Sequence, residues 1–189
     1  MVSGTKEFIK RGTDFTVNIG LIENGVPTTG AVYASVGNPV LGRLRIEAGF
    51  ASIAAYARRP RDGEPIRVRK LKEPPCAVAS KSRSTPETEA LLADAGVKER
   101  ASIGSSMKFV LVAGGDADVH PRSAPILEDT AAGEAVLRGA GGRVFDLDGQ
   151  PLVYGKRKFF NPGFVAAGSY EPAPSGPLLV GSHTSGGAK

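Results

Sequence analysis

Two periodicities divide the chain. From Phe15 to Ile22 apolar and polar positions alternate with β-branched enrichment, the period-two signature of a half-buried strand. Glu23-Asn24-Gly25 follows as a hairpin signal, because Asn and Gly accept the left-handed backbone of a tight turn. Pro27 to Thr29 lead into a second predicted strand over about Gly30 to Ser35, giving an antiparallel hairpin. Ile66-Arg67-Val68-Arg69 alternates as well and predicts a strand with one basic face. Between Val36 and Pro65 the pattern is poor, and Arg43 to Ala57 reads equally as a strand pair or an amphipathic segment. Glu73-Pro74-Pro75 then breaks the chain and marks a boundary.

Beyond that boundary the pattern changes. Cys76-Ala77-Val78-Ala79-Ser80 is a short apolar run suited to a buried parallel strand. Ser84-Thr85-Pro86-Glu87 combines a hydroxyl cap, a first-turn proline and acids near the positive dipole end, predicting a helix to about Ala95 stopped by Gly96. Ala101-Ser102-Ile103 seeds a strand, and Gly104-Ser105-Ser106 opens a helix with Met107, Val110 and Leu111 on one face. Asp116 to His120 predicts a strand. A helix over 129–140 follows, stopped by Gly141-Gly142, and Val144-Phe145 begin another strand. Asp146-Leu147-Asp148-Gly149 makes a turn, and Phe164 to Ala167 is the last apolar run. The order β-α-β-α-β-α-β-β predicts an α/β layered unit over 76–168, preceded by an antiparallel sheet unit over 1–75 of α+β character. Residues 169–189 are rich in Pro, Gly and Ser, lack periodicity, and read as a disordered tail.

Composition narrows the function classes. Of 189 residues, 41% are apolar and 23% charged, an ordinary globular balance. No run of about 18 apolar residues predicts a membrane span. The start, Met-Val-Ser-Gly-Thr-Lys-Glu, lacks a signal core, so the expected location is cytoplasmic. One cysteine, Cys76, excludes an internal disulfide, and two histidines offer no zinc cluster. The net charge of +5 gathers at Arg58, Arg59 and Arg61 and at Arg67, Arg69, Lys70 and Lys72. A solvated surface explains it, and an anionic ligand would exploit it. With 6% aromatics, no Trp and no stacking pattern, a nucleic-acid partner is not expected.

Few local patterns carry chemistry. Asp129 precedes a run of helix formers, so it reads as an N-cap or as a carboxylate offered to a divalent cation at a sheet rim, capping being the commoner role. Ser3-Gly4-Thr5 offers N–H groups and a hydroxyl that can cradle phosphate, though a flexible terminus explains it too. Ser105-Ser106, at a predicted helix start, suits either an anion or simple capping. Asp146 and Asp148 are turn residues, and His120 reads as structural.

The order of these segments resembles a known family. Gly4-Thr5-Lys6-Glu7-Phe8-Ile9-Lys10-Arg11, Phe15-Thr16-Val17-Asn18-Ile19, Gly104-Ser105-Ser106-Met107-Lys108-Phe109, Asp129-Thr130-Ala131-Ala132-Gly133 with Gly141-Gly142, and Asn161-Pro162-Gly163-Phe164 look like the inositol monophosphatase superfamily. Within it they resemble the 3'(2'),5'-bisphosphate nucleotidase branch associated with sulfur assimilation. The resemblance runs from about residue 4 to residue 167, apart from a divergent patch near 36–60. It implies an αβαβα layered fold and a Mg²⁺-dependent phosphomonoesterase that removes the 3'-phosphate of adenosine 3',5'-bisphosphate. It further implies Asp129 as a metal ligand and Gly4 and Thr5 as the phosphate-binding turn, with the Thr5 hydroxyl orienting the attacking water. Gly104, Ser105 and Ser106 would line the sugar side, and Arg122 would meet a substrate phosphate.

The family motif Asp-Pro-(Ile/Leu)-Asp-Gly-Thr meets this chain only at Gly4-Thr5, Ser3 standing at the second aspartate. The family's Glu-Glu motif and N-terminal helices lie before Met1, and Glu128 stands where the family carries tryptophan before its aspartate. From these departures the expectation is an N-terminally truncated member with little phosphatase activity and an uncovered apolar sheet face that invites homodimerisation. The alternatives are a non-catalytic phospholigand-binding protein or an inactive gene fragment, and inositol monophosphate or a sugar bisphosphate in place of the nucleotide.

Overall fold

The computed structural model describes residues 1–12, 14–34, 47–51, 55–58, 63–71, 73–80 and 85–169. It opens with β1 (Val2–Ser3) and α1 (Thr5–Ile9), followed by the hairpin of β2 (Thr16–Glu23) and β3 (Val26–Ala34). Asn24 and Gly25 both take positive φ, 52° and 79°, the backbone of a two-residue turn matched to strand twist. Then come β4 (Glu47–Ala51), β5 (Ala55–Arg58) and β6 (Gly63–Ile66). These six strands form one antiparallel sheet in sequence order. The ambiguous stretch around Arg43 to Ala57 therefore supplies strands where it is described.

The second sheet uses β7 (Cys76–Ala79), β8 (Glu99–Ser102), β9 (Val119–Arg122), β11 (Arg143–Asp146) and β13 (Phe164–Ala167) in the order β11-β13-β9-β7-β8. Strands β7, β8 and β9 are parallel, and β13 runs antiparallel to both neighbours. Between these strands lie α2 (Pro86–Asp94), α3 (Met107–Ala113) and α4 (Ala131–Gly139). A separate ribbon pairs β10 (Ile126–Leu127) with β12 (Phe160–Asn161). The Thr85 hydroxyl accepts from the Thr88 N–H and caps α2 as its sequence predicts.

Helices α3 and α4 fill the space between the sheets. α4 packs on β2 and β3 and against α3, which meets β7, β9 and β13 on its other side. All seven residues of α3 are buried, so the expected single apolar face is corrected: this helix has no solvent side. The main core joins Val32 of the first sheet to Val78, Phe109, Leu137 and Phe164. A smaller cluster of Ala77, Leu92, Val119 and Val165 lies beneath α2. Among the described residues the layers thus run sheet, helices, sheet, helix, in keeping with the expected αβαβα order. The free face of β2 exposes Val17, Ile19 and Leu21.

Close backbone contact seats α4. Gly20 and Gly30 are cross-strand partners. A Cβ on Gly30 would lie 2.3 Å from the Ala132 carbonyl oxygen, and one on Gly20 3.0 Å from its nitrogen. The two glycines form a flat seat for the first turn of α4, so the residues just before that turn are held closely too.

Three local expectations are corrected. The strand predicted over Ile66 to Arg69 ends at Ile66, because the Val68 N–H turns to the Ala140 carbonyl at 3.0 Å and Arg69 pairs with Asp118 at 2.7 Å. The strand placed at Asp116 to His120 begins at Val119, since the Asp118 N–H is taken by the Cys76 carbonyl at 2.8 Å. Asp129 is not the cap of α4: a 3₁₀ turn over Glu128–Thr130 intervenes, Thr130 occupies the N-cap position, and no side chain caps the helix. The tail expected to be disordered lies, beyond Ser169, outside the described residues.

Candidate active site

A cavity of about 400 Å³ opens where the edge of the first sheet meets the carboxyl ends of β7 and β9. Gly4, Thr5, Gly104, Ser105, Ser106, Arg122 and Asp129, the seven residues singled out in the sequence, all line it. Three segments far apart in the chain bring them there.

The first segment is an edge strand and a turn. β1 pairs with β2, setting Ser3 opposite Thr16. Gly4 then takes φ 84°, and its carbonyl accepts from the Glu7 and Phe8 N–H groups as α1 begins. Any side chain here would be strained by that φ and would also collide, since a Cβ would lie 2.6 Å from the Asp14 carbonyl oxygen. Gly104, on the second segment, would place a Cβ 2.8 Å from the same oxygen. Two glycines thus let the 3–5 turn and the 104–106 turn close on Asp14 from either side.

On that second segment Ser105 adopts φ 54°, a left-handed backbone uncommon outside glycine, asparagine and aspartate. Its Oγ is buried without a hydrogen-bond partner. The Ser106 hydroxyl accepts from the Asn18 side-chain amide at 2.8 Å, tying the segment to β2. Lys108 turns back into the cavity, its Nζ donating to the Ser105 carbonyl at 2.6 Å. Burial, reinforced by the nearby Arg122 charge, lowers the Lys108 ammonium to about 8.

The third segment supplies opposite charges. Arg122, at the end of β9, is buried and donates from Nε to the Ala124 carbonyl at 3.0 Å. Asp129 sits in the 3₁₀ turn, its Oδ1 buried and without a hydrogen-bond partner. Burial pushes its carboxyl above the ordinary aspartate value, opposed by a hydrogen bond from Ser3 and by the Arg122 and Lys108 charges. A buried carboxylate oxygen with no partner among the described residues has room to accept from an ordered water or to meet a hard cation. Among the described residues no group of three or more His, Cys, Asp or Glu could hold a metal ion, so Asp129 offers one anionic ligand.

Sequence reasoning passed over Lys108 and the cavity position of His120. Lys108 is the lone charge in the otherwise apolar run Met107 to Ala113, a signal that could have marked it. His120 is buried, holds the Val78 carbonyl through Nδ1 at 3.1 Å and packs edge-on to Phe109 and Phe164, while lining the cavity floor. Burial drives its imidazole well below the ordinary histidine value, so it stays neutral there.

A model of the inositol monophosphatase family matches residues 2–172. The 3'(2'),5'-bisphosphate nucleotidase CysQ of Escherichia coli (strain K12) is 44% identical over 165 residues, covering 86% of this chain and 64% of that protein. The counterpart from Buchnera aphidicola is 36% identical over 170 residues, covering 88% of this chain and 62% of its own length. The chain therefore spans less than two thirds of these relatives. The crystal structure of CysQ from Bacteroides thetaiotaomicron superposes with TM-score 0.74 at 37% identity, covering 90% of this chain and 68% of that one. Mycobacterium tuberculosis SuhB, at 23% identity and TM-score 0.66, shares the fold over 89% of this chain and 64% of its own.

Proposed function

The chain belongs to the inositol monophosphatase family, and from that premise we propose that its cavity forms part of a Mg²⁺-dependent phosphomonoesterase site for a 3'(2'),5'-bisphosphate nucleotide. The observation that carries this reading is the convergence of the unpaired Asp129 Oδ1 with the Lys108 and Arg122 cations in one cavity. Such a site has a place for a cation and a place for an anion side by side.

In this reading Asp129 Oδ1 holds the metal, with the Ser3 hydroxyl beside it. When bound, Mg²⁺ neutralises phosphate charge and lowers the pKa of water. The Gly4–Thr5 turn cradles the scissile phosphate, and the Thr5 hydroxyl fixes the direction of the attacking water. Lys108 and Arg122 draw the anionic oxygens inward, while Ser105 and Ser106 line the sugar side. Among the described residues Asp129 and Glu7 are the carboxylates lining the cavity, fewer than a hard cation usually takes, so the affinity of this chain for Mg²⁺ alone would be weak. The nucleotide is preferred over inositol monophosphate because both relatives at 36% and 44% identity bear the nucleotidase name.

Among the described residues no three His, Cys, Asp or Glu cluster in a way that could hold a metal, and this leaves one second reading, a phospholigand-binding protein without metal chemistry. Phosphate release from adenosine 3',5'-bisphosphate, followed with Mg²⁺ and with chelator alongside calorimetric binding, separates the two. Mg²⁺-dependent release supports the esterase. Tight nucleotide binding that chelator leaves unchanged, with no release, overturns it in favour of the second reading.

A further inference from the structure

Besides its charged residues the cavity has an exposed apolar lining. Leu127 and Phe160 are cross-strand partners in the β10–β12 ribbon, and both line the cavity. They stand 43% and 49% exposed, so neither is consumed by the core. The other aromatic rings lining the cavity, Phe109, His120 and Phe164, are buried and packed on one another. Phe160 is therefore the ring that a ligand could cover.

That ring is exposed but not loosely held. Its neighbour Asn161 is fully buried and donates from Nδ2 to Thr130 Oγ1 at 2.8 Å, one residue from Asp129. Lys156 Nζ donates to Asn161 Oδ1 at 2.8 Å, and the Glu128 carboxylate accepts from the Gly155 and Lys156 N–H groups. The chain between these anchors is forced through two left-handed non-glycine residues, Lys158 at φ 71° and Phe159 at φ 53°. Backbone strain of this kind persists where surrounding bonds over-determine it, and it gathers at ligand sites. The ribbon fixes Phe160 relative to Asp129, in a cavity that Lys108 and Arg122 also line.

We infer that Phe160, with Leu127 beside it, is the stacking platform for the purine base of the nucleotide, making this lip the determinant that distinguishes a nucleotide from a sugar or inositol phosphate. The inference rests on the proposed nucleotide site. A flat π-face on an exposed phenyl ring needs no hydrogen-bond readout, and an anionic head for Lys108 and Arg122 with a planar tail for Phe160 matches the chemistry that lines the cavity.

The chain contains no tryptophan, so Phe160→Trp introduces a single emitter at the lip. Adenosine 3',5'-bisphosphate should quench that emission, while inorganic phosphate, seated at Lys108 and Arg122, should not. In calorimetry Phe160→Ala should raise the nucleotide Kd about tenfold, the effect of one lost stack, and leave the Kd for inorganic phosphate within about twofold. Ribose 5-phosphate should bind wild type and Phe160→Ala alike. Nucleotide that displaces phosphate, binds Phe160→Ala as tightly as wild type and leaves the tryptophan unquenched overturns the platform and spares the proposed function. Absence of nucleotide binding by wild type overturns both.

Discussion

The two sides of the Glu128–Thr130 turn are built on opposite terms. On the cavity side four buried polar atoms have no partner among the described residues: Asp129 Oδ1 and Ser105 Oγ line it, Asn18 Oδ1 belongs to the side chain that holds Ser106, and Thr16 Oγ1 lies on the residue paired with Ser3. Behind the turn, a network that starts at Thr130 on the cavity wall uses the buried side chains of Glu134, Tyr154 and Asn161. Tyr154 donates to Glu134 Oε2 at 2.7 Å, which leaves its oxygen to accept from the Thr130 hydroxyl at 2.9 Å. Thr130 in turn accepts from Asn161. A buried unpaired group costs about 1–3 kcal/mol, whereas a closed network rigidifies what it holds. The contrast teaches where a ligand is expected to complete the structure and where the scaffold completes itself.

The largest test of that contrast is Lys108. If the cavity side exists to meet an anion, Lys108→Met should weaken binding of inorganic phosphate and of the nucleotide roughly 30- to 100-fold, the scale for losing one buried charged partner. Stability should change little, because the ammonium is buried against backbone carbonyls and its desolvation is relieved by the substitution. The wild-type affinity for phosphate should fall as pH rises through about 8, where burial and Arg122 have placed the Lys108 proton, and this fall should vanish in the methionine variant. Calorimetry across pH 6.5 to 9.5 reads both effects. Unchanged affinity in Lys108→Met would erase the functional half of the comparison.

What the sequence made legible follows the same division. The hairpin was readable because Asn24-Gly25 states its turn chemistry locally, and α2 because its cap and proline do so. Asp129 misled as a cap because capping propensity is local, while its real position is set at a distance. The Gly20–Gly30 seat and the Tyr154–Thr130 bond hold this turn, and the chain takes one 3₁₀ turn before α4 starts. Lys108 was passed over for a related reason. A lysine in an apolar helix reads as a solvated face until α3 is seen to lie between two sheets with no solvent side. The closed network was illegible altogether, since Thr130, Glu134, Tyr154 and Asn161 share no spacing that any periodic pattern reports.

The network itself supplies the next test. Burial pushes the Glu134 carboxyl up to about 7, outweighing the Tyr154 hydrogen bond and the Arg138 and Lys156 charges that favour ionisation. Its folded value thus lies above the ordinary 4.5, so the folded state holds the proton more tightly than the unfolded chain. That contribution to stability is complete below about pH 4.5 and is lost as pH rises through 7. Measured by urea denaturation against Glu134→Gln, which cancels the opposite pH dependence of buried neutral His120, the wild type should lose on the order of 1–3 kcal/mol between pH 5 and pH 8. Glu134→Gln should remove that loss while leaving phosphate affinity within about threefold at pH 7. A loss that survives the substitution would mean that the reverse side is not the closed scaffold described.

Ser105 offers the smallest and sharpest test, because there the cavity side accepts two penalties at one residue. Its φ of 54° disfavours any side chain, and its Oγ is buried without a partner. A residue selected for stability alone would be glycine. Ser105→Gly removes the hydroxyl and frees the backbone, so it should raise stability by about 0.5–1 kcal/mol, less than the full cost of a left-handed residue because glycine also gains entropy when unfolded. The same change should weaken nucleotide binding a few-fold, since the lost Oγ is the group expected to meet the sugar or its phosphate. Paired urea and calorimetry curves would show stability and affinity moving in opposite directions. If both rise or both fall, the unpaired hydroxyl is not held in reserve for a ligand, and the asymmetry across the Glu128–Thr130 turn loses its functional meaning.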